Sequence, residues 1–196
     1  MRNAIMGAIQ RPFTTRGITI TAILSALALV ITRLFQFFPF GLAVRIDPGG
    51  PAVIMLSGML LGPIGGALVG GLSDLLGYLF WNPTGYAWNP LIFIGQMTYG
   101  FVAGLLFLKT PKFNRFADTV YIAFTALVSH FSGFLFVTWG LSLLMEGKGF
   151  AELFSFRILP HAAMSAWYII ICVVLYFPLR DILKIETGIK DDEITI

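Results

Sequence analysis

The sequence is a succession of apolar runs that carry almost no charge. Across residues 17–38 the one charged side chain is Arg33, across 51–81 it is Asp74, and the runs 90–108, 119–144 and 159–179 have none. A helix that crosses a bilayer needs roughly 20 apolar residues. Lipid is the solvent that tolerates such runs, because a helix satisfies its own backbone polar groups. Composition agrees: 57% of the chain is hydrophobic and 12% charged, against about 25% charged in a soluble domain. Too few polar groups exist to cover a globule in water. The expectation is an all-α integral membrane protein, one domain in a lipid bilayer.

The runs divide into spans. Residues 18–37 form the first. The block 51–81 is too long for one helix and is broken at Leu61-Gly62-Pro63. It reads as two shorter helices, 51–61 and 64–81, joined by a tight turn. Residues 90–108, 119–144 and 159–179 complete a six-transmembrane-helix bundle occupying 18–182, with a segment 1–17 before it and a tail 183–196 after it. The first run is longer than the ~7–15 residues of a signal-peptide core, so it is expected to stay in the membrane. Gly62, Gly66 and Gly70, then Ala67 and Gly71, repeat at i and i+4. That spacing lets helices approach closely where no hydrophobic effect drives them together, and packing is the main reading of these glycines.

Lysines and arginines set the orientation, because cytoplasmic loops collect them. With the N-terminus inside, Arg2, Arg11, Arg16, Lys109, Lys112, Arg115, Arg180, Lys184 and Lys190 fall on one side. An even number of spans then places both termini in the cytoplasm. Arg33, Arg45, Lys148 and Arg157 remain for the outer half, against the trend.

The outer loops are read as 38–50, 82–89 and 145–157. They are rich in Gly, Pro, aromatics and amides, with Asn82, Tyr86, Trp88 and Asn89 in the second. Arg33 and Arg157 lie at the outer ends of spans, with His161 one turn beyond Arg157. Arginines grouped there suit a carboxylate, which the guanidinium fork binds with two hydrogen bonds. The competing reading is snorkelling to lipid headgroups. Arg45 has Asp47 two residues away and either binds ligand or pairs with it; Lys148 reads as solvated. Asp74 is the one acid inside a span. It must face the bundle interior and either reads ligand N–H groups or bonds a neighbouring helix. Gln96 and His130 are mid-span polar groups that line a cavity or bridge helices. Trp81 and Trp139 sit near an interface, where Trp is enriched in any case.

Several classes are excluded or disfavoured. Cys172 is the one cysteine, and no CxxC or HExxH occurs, so neither disulfide nor zinc chemistry is indicated. No GxSxG or carboxylate pair argues for catalysis, and no cofactor is implied. The basic residues are dispersed, so nucleic acid is not expected as a partner. Without a Walker A motif the chain cannot hydrolyse ATP. A stand-alone carrier should bury several acids, and a lipid enzyme should cluster acids or histidines at an interface; neither pattern is present.

The stretches AVIMLSGMLLGPIGGALVGGLSDLLGYLF, ALALVITRLFQ and RILPHAAMSAWYIIICVVLYFPL resemble the substrate-binding S-components of energy-coupling factor (ECF) vitamin transporters, in particular the folate type. The family's AxxxA motif is matched at Ala22 and Ala26. The first outer loop, Arg45-Ile-Asp-Pro-Gly-Gly-Pro51, departs from the folate-type pattern. The resemblance implies a six-helix protein without ATPase activity that captures a vitamin at the outer face. It implies a transmembrane coupling subunit, docked on Ala22 and Ala26, and two ABC ATPase subunits as partners. A folate-like ligand would place its anionic tail on Arg33, Arg45 and Arg157 and its pterin on Asp74 and Tyr86 or Trp88. Another vitamin, such as cobalamin or pantothenate, is the alternative ligand.

Overall fold

The computed structural model describes residues 11–38, 44–82, 85, 87–108, 115–145 and 147–187. It is all-helical: α1 (Thr15–Leu34), α2 (Gly50–Phe80), α3 (Pro90–Phe107), α4 (Arg115–Leu144) and α5 (Phe150–Thr187), preceded by a 3-10 turn at Arg11–Phe13. Among the described residues, five helices are therefore long and apolar enough to cross a membrane. Their outward faces are apolar, with Leu159, Phe116 and Phe80 each more than three-quarters exposed, as lipid contact requires.

Local chemistry sets the helix starts. Thr14 caps α1 by accepting from Gly17 N at 3.0 Å, which moves the helix forward of the sequence estimate. Asp47 Oδ1 accepts from Gly49 N and Gly50 N at 3.0 and 2.7 Å, so two N–H groups at the head of α2 are not orphaned. Pro51 follows at a position where a missing N–H costs nothing. Asn89 caps α3 through Leu91 N at 2.8 Å, and its Nδ2 donates to Gly140 O of α4 at 3.0 Å.

The expected break in α2 is present as a non-helical residue, Gly62, with φ 86° and ψ 179°. This backbone region is open essentially to glycine alone, and Pro63 beside it cannot donate to a continuing ladder. The two halves fold back on one another. A Cβ on Gly66 would lie 2.6 Å from Gly58 Cα, whereas eight residues of straight helix would separate them by about 12 Å. The start of α2, at Pro51, and its end, at Asp74 and Tyr78, consequently reach the same cavity.

Helix α3 crosses this fold. A Cβ on Gly58 or Gly66 would lie 2.1 or 2.5 Å from Gly100 O, one on Gly70 would lie 2.2 Å from Gln96 O, and one on Gly104 would meet Pro63 N at 2.4 Å. The i, i+4 spacing of Gly62, Gly66 and Gly70 thus supplies the face on which α3 lies. Helix α4 packs on the other side of α3, with Gly95 and Gly133 in contact across the seam. Helix α5 completes the bundle against α4 and the first half of α2.

The third outer loop is shorter than expected. Residues 150–157 are helical, so α5 begins at Phe150 and Arg157 lies about two turns inside it. Phe150, Leu153, Phe154 and Arg157 have the helical spacing that places one face against α4. The same helix continues to Thr187, past the boundary at 182 drawn from hydropathy.

Candidate ligand-binding cavity

All five helices send side chains to one end of the bundle, where α1, α2 and α4 finish and α3 and α5 begin. They enclose a cavity of about 130 Å³. Of the residues singled out in the sequence, Arg33, Arg45, Asp74 and Asn82 line it, as do Trp88, Asn89, Gln96, Arg157 and His161. Tyr86 lies outside the described residues.

One wall joins α1 to the second half of α2. Arg33 Nη2 is 3.7 Å from Asp74 Oδ1, and both side chains are nearly buried, 12% and 10% exposed. Asp74 thus faces the interior, as a carboxylate inside a span must. The Nε–Nη2 edge of the Arg33 guanidinium faces Gly77, where no side chain stands in its way. Arg33 Nε is buried without a hydrogen-bond partner. A group left so is costly, and a bound polar molecule is one way to satisfy it.

A second wall is the strand-like strap that follows α1. Phe37 and Ile46 form an antiparallel bridge through hydrogen bonds of 3.1 and 2.9 Å, closing the base of the first loop. The strap is held to α5: Tyr168 Oη donates to Asp47 O at 2.8 Å and Trp167 Nε1 donates to Pro48 O at 2.7 Å. Asp47 does not pair with Arg45. Its Oδ1 caps α2, while its Oδ2 is buried without a donor.

The third wall belongs to α4 and α5. Arg157, 3% exposed, donates from Nη1 to Thr138 Oγ1 at 3.0 Å and from Nη2 to His161 Nε2 at 3.2 Å. Its Cζ stands 5.5 Å from the centroid of the Phe134 ring. Guanidinium groups only donate, so His161 Nε2 accepts and the proton of a neutral His161 is on Nδ1. Ser165 Oγ donates its one hydrogen to His161 O at 2.8 Å, so it accepts from His130 Nδ1 at 2.5 Å. The His130 ring stacks between Tyr99 and His161, with centroids 5.6 and 5.5 Å away, and meets Tyr168 edge-on. His130 both bridges α4 to α5 and lines the cavity.

The remaining side comes from α3 and the loop before it. Asn89 lines the cavity while its amide is committed to the cap and to α4, so its first task is to hold α3 in place. Gln96 is 6% exposed and one turn from Tyr99. Trp88 is 42% exposed and packs on Phe93. Trp81 and Trp139 are about half exposed and do not line the cavity, consistent with an interfacial position.

The family model described as ECF transporter, substrate-specific component, matches residues 16–180. The chain belongs to this family. No curated protein sequence matches this S-component. Its fold resembles a solved structure titled "Crystal structure of FolT bound with folic acid", with a TM-score of 0.63 and 20% identity over 86% of this chain and 94% of that one. The S-component is therefore a multi-pass membrane protein of a transport system.

Among the lining residues that carry no mark in the sequence are three tyrosines, Tyr78, Tyr99 and Tyr168. One signal was available. Arg157, His161, Met164 and Tyr168 fall at i, i+4, i+7 and i+11, a single stripe of α5, and all four are buried lining residues of the S-component.

Proposed function

We propose that this S-component captures folate or a closely related pterin carboxylate at the outer face of the cell membrane. Three arginines and two carboxylates brought to one cavity of a FolT-like fold are the observation that carries the reading. Arginine forks suit a carboxylate tail, and an acid beside donors suits the N–H edge of a pterin. The outer placement of the cavity rests on the lysine and arginine distribution, with both termini cytoplasmic. The return of α2 at Gly62 supports six spans rather than five.

Delivery inward would require a transmembrane coupling subunit and two ABC ATPase subunits. Ala22 and Ala26 support this, because both are exposed on α1 and form a small-residue surface on which another helix could lie closely. The deciding experiment is calorimetric titration of the purified chain alone with a vitamin panel. Folates are expected to bind well below micromolar without ATP. Binding of another vitamin in their place would refute the folate reading and leave a receptor for that vitamin.

A further inference from the structure

Within the cavity, the α4–α5 wall differs from the α1–α2 wall in one respect. Arg33 has a carboxylate beside it, Asp74. Arg157 has none within ion-pair distance among the described residues; its partners are a hydroxyl, a neutral imidazole and a phenyl face. Two donors on this wall also lack acceptors. Arg157 Nε and His161 Nδ1 are both buried and unpartnered, and their side chains are 3% and 8% exposed. The tautomer argument makes His161 Nδ1 an N–H, so both atoms demand an acceptor. A cation buried without a counter-charge is costly.

We propose that Arg157 and His161 form the seat of the ligand's carboxylate, with Arg157 Nε–H and His161 Nδ1–H donating to it, while the neutralised Arg33–Asp74 wall receives the uncharged heterocyclic end. This rests on the reading of the cavity as a vitamin site and fixes the direction in which the ligand lies. Thr138 acts as a positioning residue, because its hydroxyl holds Arg157 Nη1 and so fixes the guanidinium in this wall. A carbonyl oxygen could also accept from two N–H groups, so the test must separate the charged acceptor from the neutral one.

The full-length chain, purified in detergent, is titrated with four probes: folic acid, carboxylate-free 6-methylpterin, 4-aminobenzoate and 4-aminobenzamide. The variants are Arg157→Met, His161→Leu, His161→Asn and Thr138→Val, each checked for thermal stability. Arg157→Met and His161→Leu are expected to weaken folic acid and 4-aminobenzoate by roughly 10- to 100-fold, the range of a hydrogen bond to a charged group. The pterin should change by less than about twofold, within the scatter expected where no contact is lost. His161→Asn, which keeps an N–H, should recover most of the loss. Should Arg157→Met not fold, His161→Leu and Thr138→Val carry the comparison. Equal losses for charged and neutral probes, or none, overturn the seat. If folic acid does not bind the native chain but Arg157 still selects 4-aminobenzoate over its amide, the folate reading fails and the seat stands. If folic acid binds and every variant binds it equally, the seat fails and the folate reading stands.

Discussion

Arg33 lies on Gly77: a Cβ built on Gly77 would stand 2.4 Å from Arg33 Nε and 2.6 Å from Nη2. The ion pair with Asp74 thus depends on a missing side chain one turn further along α2. Gly77→Ala is expected to push the guanidinium off the helix and to weaken folic acid binding roughly tenfold, as for one charge-assisted hydrogen bond. Displacing Arg33 also leaves the nearly buried Asp74 carboxylate without its counter-charge, so the melting temperature should fall as well. A calorimetric titration beside a thermal melt checks both.

Gly62 holds a backbone conformation that side chains oppose. Gly62→Ala should cost about 1–3 kcal/mol, read as a lower melting temperature in detergent. An unchanged melt would mean that the reversal of α2 does not need glycine.

Asp47 has two oxygens with different tasks. Asp47→Asn keeps an oxygen for Gly49 N and Gly50 N and should retain stability. Asp47→Ala removes the cap and should cost about 1 kcal/mol. Thermal melts of the pair separate capping from the burial of a charge.

Ala22→Leu and Ala26→Leu alter a surface that nothing among the described residues covers. Uptake by cells expressing the complete transporter should fall severalfold, whereas binding by the isolated chain should stay within about twofold, since contacts far from the cavity add independently. Loss of binding would assign this face to internal packing instead.

Most of the fold was legible because lipid simplifies the code. Apolar runs with at most one charge each located the helices, and Leu61-Gly62-Pro63 marked the reversal through glycine and proline chemistry alone. The start of α5 was misplaced because residues 150–157 contain Glu152, Ser155 and Arg157, which hydropathy reads as loop. Their helical spacing, with Leu153 and Arg157 buried on one face, was the better signal. The cavity was legible where a polar group in an apolar run had to be accommodated, as with Arg33, Asp74, Gln96 and His161. It was not legible at Tyr99 and Tyr168, since tyrosine is ordinary in membrane helices and only the meeting of α3, α4 and α5 gives these two their position. The role of Asp47 was hidden for a similar reason. Its neighbour Arg45 suggested a local pair, while the backbone two residues on offered closer donors.

The meeting of Gly58, Gly66 and Gly100 has a mechanical consequence. Three backbones touch there with no side chains between them, so there are no rotamers to change and no room for sliding. A close-packed contact of this kind passes force on instead of yielding. Ligand entry would therefore have to deform the rim, where α5 meets the strap that follows α1. The α2–α3 centre would travel through any such motion as a rigid hub.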